Sequence, residues 1–212
     1  FNGAPCTNLD KTVDENDHIG RLNLTWQIDA QKMIYATWSE GYRPGGLNRR
    51  GTLPPYLSDF LTNYEAGWKT TWLDNALSFN GAVFLERWKD FQFALLGANG
   101  LTEIKNANQA EIRGLEMDLQ WAVNYNLTVT GGVAFYDAQL TENYCGFTDD
   151  AGVPVSECDD PQAPDGTQLP ITAKVKGNLT GRYTFDVGDY QAFLQGAVVH
   201  EGKRTSDLRL VQ

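Results

Sequence analysis

The feature that most constrains this chain is a regular alternation of apolar and polar residues on both sides of one short turn. Even positions from 64 to 72 read Tyr, Ala, Trp, Thr and Trp, whereas the odd positions between them read Glu, Gly, Lys and Thr. The run from 77 to 85 alternates in the same way. A period of two indicates β-strands with one apolar face. Asp74 and Asn75 tolerate positive φ, which predicts a tight hairpin turn between the two strands.

The turn and the facial pattern predict a single register for this hairpin, because a shift by one residue would move every apolar side chain to the polar face. The predicted pairs are Trp72 with Leu77, Thr70 with Phe79, and Tyr64 with Leu85. We expect the return strand to run from Ala76 to Phe93. That length exceeds what a bilayer requires, so the strand would project beyond it.

Three further units repeat the plan of two alternating strands joined by a short turn. Their first rows start at Leu22, Leu115 and Val175, and all four turns, near Ala30, Asp74, Tyr125 and Val187, are predicted at one rim. The strand from 33 to 42 is ambiguous, since either its odd or its even residues could face outward. The connections between units are long and rich in Gly, Pro, Asn and Asp.

Short turns on one rim and long loops on the other are typical of outer-membrane barrels, where the long loops are extracellular. No run of about 18 apolar residues is present, so no α-helix is predicted to cross a membrane. The predicted fold is therefore all-β, a transmembrane antiparallel β-barrel with eight strands in four hairpins. A soluble β-sandwich is the alternative, but its inner rows would be mostly Val, Ile and Leu.

Each predicted strand has one face toward lipid and one toward the lumen. The outward rows mix Trp, Tyr, Gly and Ala with aliphatic residues, as a lipid-facing surface does. The lipid-facing set includes Trp68, Trp72, Phe79, Leu119 and Val129, and the lumenal set includes Glu65, Lys69, Glu116 and Arg182.

Composition and motifs argue against several functions. The net charge of −10 argues against a nucleic-acid partner, which requires clustered Lys and Arg. His18 and His200 are the two histidines and lie far apart, and neither a Gly-x-Ser-x-Gly motif nor a P-loop occurs. We therefore expect no enzymatic activity, no catalytic residue and no cofactor. The acidic residues between 149 and 165 are irregularly spaced, so a solvated loop is favoured over a metal site.

Two of the three cysteines, Cys145 and Cys158, enclose a segment rich in Gly, Asp and Pro. Such a segment has little core of its own, and we expect a disulfide between them, formed in an oxidising compartment. Cys6 is then left over, and its partner is expected to precede Phe1.

Five motifs resemble those of TonB-dependent receptors. They occur in the same order as in that family: YATWSEGYRPGG at 35–46, NYEAGWK at 63–69, WKDFQ at 88–92, Asn106-Ala107, and Gly114-Leu-Glu at 114–116. The resemblance covers nearly the whole chain. Each motif is weak alone, but five in order and in register are specific.

The resemblance implies that residues 1–212 are part of the β-barrel domain of an outer-membrane receptor. Such a barrel has about 22 strands. The family imports scarce nutrients such as ferric siderophores, using energy from a TonB complex that acts through a plug segment not contained in this chain. Outer-membrane lipid, lipopolysaccharide and a small-molecule substrate are the other implied partners. The alternative is a passive pore or a small self-contained barrel of eight strands.

Candidate substrate-binding residues follow from charge, aromatic character and position. Arg43 to Gly45 are expected to be architectural, whereas Arg49 and Arg50 could bind an anionic substrate through bidentate contacts. Tyr56 follows this loop. Trp88 and Tyr136 are candidates for the wall of the transport path.

Overall fold

The computed structural model describes residues 10–49, 52–97, 100–149 and 152–209. In these residues the structure consists of strands and loops, and no helix in them is long and apolar enough to cross a membrane. Eight strands form one antiparallel sheet: β1 (Arg21–Asp29), β2 (Lys32–Arg43), β3 (Asp59–Trp72), β4 (Leu77–Lys89), β7 (Gln109–Ala122), β8 (Leu127–Leu140), β9 (Val175–Val187) and β10 (Tyr190–Glu201). The prediction of eight strands in four hairpins is confirmed. A separate hairpin consists of β5 (Gln92–Leu96) and β6 (Thr102–Asn106).

The hairpin of β3 and β4 has the predicted register. Trp72 pairs with Leu77, and the other two predicted pairs are also present. At the turn, Asp74 and Asn75 have φ of 54° and 69°, and the amide of Ala76 donates a hydrogen bond to the carbonyl of Leu73. Two central residues with positive φ give a twist that matches the twist of the strands.

The ambiguous strand β2 is fixed by its neighbours. Ile34 pairs with Trp26 of β1 and with Trp68 of β3, so the even residues of β2 share the apolar face. Tyr35 and Thr37 consequently lie on the polar face. Pairing with two strands whose apolar faces are known therefore decides which face of β2 is apolar.

The two sets of residues assigned to lipid and to the lumen lie on opposite faces of the sheet. Glu65 pairs with Phe84, which pairs with Gly114, so the polar face of β3 continues onto β4 and β7. On the outward face, the large apolar side chains are solvent-exposed, with Leu24 at 73% and Val198 at 70%. An apolar face of this size needs an apolar environment.

The sheet remains open in the described residues. Its strand order starts at β1 and ends at β10, and these two strands do not pair with each other. The small eight-stranded barrel would require that pairing. The observed sheet is therefore part of a wall.

The predicted single strand from Ala76 to Phe93 is wrong. β4 ends at Lys89, because Asp90 has a φ of 54°, a conformation that interrupts a strand. Gln92 then starts β5, which pairs with β6 instead of extending the sheet. The apolar row of β4 is interrupted at Arg87 and Lys89 and resumes at Phe91 and Phe93, so the prediction carried one strand across the break.

The main hydrophobic core lies at the long-loop rim, on the lumenal side of the sheet. Trp88, Ala110 and Leu140 are neighbours across β4, β7 and β8 and share the lumenal face. Phe93 of β5 packs on this surface with Leu169 and other residues of the long loops. The wall thus carries a packed layer over the lumen at one rim.

Candidate functional site

Three segments meet over the lumenal face at the long-loop rim, and together we call them the loop cap. They are the described residues of 44–58, of the hairpin β5–β6 and of 141–174. The third segment contains the disulfide between Cys145 and Cys158, whose sulfur atoms are 1.99 Å apart.

Aromatic side chains connect the wall to the loop cap in one continuous series. The rings of Trp88 and Phe91 lie edge to face at 4.6 Å between centroids, and Phe91 stacks on Phe93 at 5.9 Å. Phe93 meets Tyr144 edge to face at 5.0 Å. These are favourable geometries for aromatic pairs. The series runs from the end of β4 to the residue just before the disulfide.

A buried carboxylate ties the ends of β2 and β3 to the start of β5. Asp59 accepts hydrogen bonds from the guanidinium of Arg43 and, at 3.0 Å, from the backbone amide of Gln92. The same guanidinium donates to the carbonyl of Gln92 at 2.9 Å. Asp59 is 2% exposed, and a buried carboxylate needs such partners. Arg43 is therefore architectural, as predicted.

Side-chain amides hold residues 44–58 against the hairpin. Asn48 accepts from the amide of Ile104 at 2.8 Å and donates to its carbonyl at 2.9 Å. Asn106 makes the same two contacts with Leu57, at 2.8 and 2.9 Å. Each side-chain amide bonds both the N–H and the C=O of one backbone residue, as a neighbouring strand would. The loop is therefore held without a regular ladder of backbone hydrogen bonds.

A cavity of about 260 Å³ opens between the three segments of the loop cap. Its walls combine apolar and planar groups with a few polar side chains. The lining residues that matter chemically are Pro54, Pro55, Tyr56, Glu103, Lys105, Tyr144 and Phe147. Concave sites of this composition are typical of small-molecule binding.

Tyr144 is the most unusual group at this cavity. It is 2% exposed, and its hydroxyl has no hydrogen-bond partner in the described residues. Burial raises the pKa of Tyr144 to about 12, and the nearby carboxylates of Asp207 and Glu103 act in the same direction, whereas Arg209 opposes them. The phenol is therefore neutral at physiological pH and keeps both its donor and its acceptor capacity.

The four predicted site residues that the structure describes do not form one cluster. Tyr56 lines the cavity, and Arg49 is exposed in the same loop. Trp88 is half-buried in the core, with the guanidinium of Arg43 at 5.6 Å from its ring. Tyr136 lies deeper on the lumenal wall, where its hydroxyl donates to the carboxylate of Glu116. Arg50 lies outside the described residues.

Sequence reasoning missed Glu103, Lys105, Tyr144 and Phe147 as cavity residues. Their sequence neighbours carry a weak signal: Tyr144 and Phe147 are aromatic residues that flank Cys145 in an otherwise polar loop. Glu103 and Lys105 belong to β6, which the pattern did not predict. Their position became evident only from the hairpin.

Below the loop cap, the lumenal wall carries positively charged, negatively charged and amide side chains. Asn80 donates to Asp118 at 3.0 Å, and the ammonium of Lys176 lies 5.9 Å from the Tyr136 ring. A shallow depression of about 390 Å³ in this wall includes Lys69 and Asn178. These groups provide many sites for hydrogen bonds and ion pairs to whatever occupies the lumen.

An open antiparallel sheet with an apolar outer face, a polar inner face and long loops at one rim defines the wall of an outer-membrane β-barrel. The chain belongs to the TonB dependent receptor-like β-barrel family, whose model matches residues 2–209. The resemblance noted in the strand motifs is thereby confirmed. This membership places the chain in the outer membrane of Gram-negative bacteria, in a family of receptors and transporters rather than enzymes.

Individual relatives agree with this assignment. The chain is 26% identical over 137 residues to the pesticin receptor of Yersinia enterocolitica, a match that covers 62% of this chain and 20% of the receptor. It is 24% identical over 189 residues to the metal-pseudopaline receptor CntO of Pseudomonas aeruginosa, covering 88% of this chain and 24% of that protein. The chain thus spans about a fifth to a quarter of the curated relatives it matches.

The fold also matches a solved receptor. The ferric yersiniabactin uptake receptor FyuA from Yersinia pestis superposes with a TM-score of 0.69 at 17% identity. The match covers 89% of this chain and 26% of that receptor. At this identity the likeness concerns the fold.

Proposed function

We propose that residues 1–212 are part of the barrel domain of an outer-membrane receptor that imports a scarce nutrient with energy relayed by TonB. The observation that carries the proposal is the loop cap, which is packed over the lumenal face of a wall from this receptor family. A wall that merely enclosed a channel would need no built cavity at its rim. Here a cavity lies between three loop segments, directly above the polar lumen.

The substrate we propose is a metal chelate of the siderophore class. Two observations support this: two of the three named relatives are receptors for metal–pseudopaline and ferric yersiniabactin, and the cavity combines aromatic and proline side chains with Lys105. Arg49, Arg50 and Tyr56 would contact the substrate at the rim. Tyr136 would line the path below, whereas the packing of Trp88 favours a structural contribution.

The remaining proposed partners follow from the two faces of the wall. A plug segment, which would contact TonB, would occupy the lumen and bind the charged and amide side chains of the polar face. Outer-membrane lipid and lipopolysaccharide would cover the exposed apolar face. Backbone groups at a strand edge in hydrocarbon cost several kcal/mol each if unpaired, so β1 and β10 would pair with further strands of the same barrel.

A passive pore is the alternative function, and energised uptake separates the two. Cells that express the complete receptor would be given a radiolabelled ferric siderophore with or without an intact TonB system. We expect uptake that depends on TonB and saturates with substrate. Uptake that persists without TonB and rises linearly with concentration would contradict the proposal and favour the pore.

A further inference from the structure

A groove of about 550 Å³ crosses the apolar outer face of β1 to β4 on the side of the long loops. Its lining residues on this face include Leu24, Ala36, Trp38, Tyr64, Ala66 and Val83. Ala36 pairs with Ala66 to form a floor of small side chains, whereas Trp38 pairs with Tyr64 in the row above, toward the long loops. Because the chain lies in the outer membrane, the groove faces lipid. A flexible acyl chain that fills it makes the contacts that the two alanines leave unmade.

Two arginines mark the level at which the apolar rows end beside this groove. Leu85, at the upper edge of the groove, pairs with Arg113 of β7, and Arg87 is the next outward residue of β4 above it. Below this level, the outward residues of β4 from 77 to 85 and of β7 from 115 to 121 carry no charge. A charged side chain within an apolar band of this kind is costly. The two guanidinium groups therefore lie at the level of the lipid head groups.

One carboxylate holds both guanidinium groups in place. Glu111 lies 3.5 Å from Nε of Arg87 and accepts a hydrogen bond from Nε of Arg113 at 2.7 Å. The side chain of Glu111 is 13% exposed, whereas those of Arg87 and Arg113 are 65% and 66% exposed. Two fixed cations thus share one anion, and within the described residues the terminal amino groups of Arg87 remain available to a ligand. Guanidinium groups bind phosphate through paired hydrogen bonds.

Two other carboxylates on the outer face lie away from this end of the groove. Asp137 pairs with Arg113 from β8, which is on the side of β7 opposite the groove. Glu40 lies above the β2 side of the groove, where its carboxylate accepts a hydrogen bond from the amide of Gly20 at 3.1 Å. An anionic group is therefore favoured next to Arg87, on the side of β4 and β7.

We propose that the groove and the two arginines bind one molecule of lipid A, the phosphorylated and acylated glycolipid that anchors lipopolysaccharide. A phosphate binds Arg87 and Arg113, and an acyl chain lies over Ala36 and Ala66. The long loops are on the extracellular side, so this end of the wall meets the outer leaflet, which contains lipopolysaccharide. The inference rests on the proposed contact between the outer face and lipopolysaccharide, and it adds a defined site to that contact.

The test uses the complete receptor, purified in detergent and freed of lipid, with three probes: phosphorylated lipid A, lipid A without its phosphates, and phosphatidylglycerol. Native mass spectrometry would measure the affinity of each probe. We expect phosphorylated lipid A to bind about tenfold more tightly than the form without phosphates, because only it can accept hydrogen bonds from the guanidinium groups. Equal affinity for these two lipids would overturn the phosphate site. Phosphatidylglycerol that binds as tightly as phosphorylated lipid A would overturn the assignment of the lipid.

Arg87→Gln tests the polar half of the site. The variant removes one cation and leaves Glu111 paired with Arg113, so the carboxylate keeps a partner. We expect phosphorylated lipid A to bind about three- to tenfold more weakly, and the lipid without phosphates to bind as before. Arg21→Gln is the matched control, because Arg21 pairs with Ser39 on the lumenal face of the sheet. Unchanged binding of phosphorylated lipid A to Arg87→Gln would contradict the proposal.

Ala66→Phe tests the apolar half and keeps the proposal falsifiable if Arg87→Gln does not fold. Ala66 is exposed on the outer face, so a larger side chain there fills the groove without entering a packed core. We expect phosphorylated lipid A to bind about two- to tenfold more weakly. Ala192→Phe, on the outer face of β10 and distant from the arginines, should leave binding unchanged. Equal effects of the two substitutions would overturn the assignment of the groove.

Failure of this inference and failure of the proposed function give different results. Lipid binding needs no energy source, whereas the proposed uptake needs TonB. TonB-dependent uptake by a receptor that does not distinguish the two forms of lipid A would overturn only the lipid site. Phosphate-dependent lipid binding that Arg87→Gln weakens, without energised uptake, would support the lipid site and contradict the transport proposal.

Discussion

The wall and the loop cap of this chain stabilise themselves in different ways. In the wall, backbone hydrogen bonds pair eight strands while large side chains such as Leu24 and Val198 remain exposed on the outer face. In the loop cap, side chains are buried: Phe93 is 7% exposed and Leu169 is 3% exposed. The wall therefore depends on its environment to cover its apolar surface, whereas the loop cap carries a core like that of a soluble protein.

The largest effect we expect comes from removing the centre of the loop-cap core with Phe93→Ala. Truncation of a buried Phe typically costs about 3–5 kcal/mol. Hydrogen exchange of β5 and β6 should accelerate strongly, while exchange in β3 and β4 stays unchanged. Leu96→Ala, at an exposed position of the same hairpin, is the control. Equal acceleration in wall and loop cap would mean that the two regions are one cooperative unit.

A charge on the outer face should act on the wall alone. Met117 lies on the lipid-facing side of β7, near the middle of the apolar rows, and an Arg near the bilayer midplane costs about 2–4 kcal/mol. Met117→Arg should lower the urea midpoint of the receptor in lipid vesicles. Gln120→Arg, on the lumenal face of the same strand, should have a much smaller effect. Similar losses for both variants would refute the assignment of the faces.

The amide contacts of the loop cap should contribute less than its core. Asn48→Ala leaves the backbone groups of Ile104 without partners, at a cost of about 1–3 kcal/mol. We expect faster proteolysis of the 44–58 segment, with no change in the heat-dependent gel mobility of the barrel. Thr52→Ala, an exposed position in the same segment, serves as the control. A cleavage rate equal to that of the control would show that the contacts of the Asn48 amide do not stabilise this segment.

The smallest and most specific effect concerns alkaline pH. The pKa of Tyr144 is raised to about 12, so its neutral form stabilises the loop cap below the ordinary tyrosine pKa of 10.0. That stabilisation is lost as pH rises from 10 through 12, because the unfolded state ionises first. Tyr144→Phe cannot ionise and should lose less loop-cap stability over this interval. Parallel losses in both proteins would contradict a buried, neutral phenol.

Sequence reasoning predicted the wall well because its rules are local. The register of β3 and β4 follows from period-two rows and from a turn at Asp74 and Asn75, all within about 20 residues of one another. The break at Asp90 has a weaker signal, the charged residues Arg87 and Lys89 in the apolar row of β4. The break depends on the positive φ of Asp90. Asp tolerates this conformation, but its presence in a sequence does not predict it, so the β5–β6 hairpin was missed.

The candidate site was harder to predict because its contacts are distant in sequence. Asn48 and Ile104 are 56 residues apart, and Asn106 reaches Leu57 over 49. No repeating pattern links such pairs. Tyr56 was identified because it follows a basic loop, whereas Tyr144 acquires its importance only when the chain folds over the lumen.

The contact of Arg43 and Gln92 with Asp59 has a mechanical consequence. Asp59 is the first residue of β3, Arg43 the last of β2 and Gln92 the first of β5, so one carboxylate joins two wall strands to the hairpin. A force on the hairpin is therefore transmitted to the ends of the strands rather than taken up by movement of a flexible loop. We expect the loop cap to move as one rigid unit about the ends of these strands, rather than to unfold residue by residue.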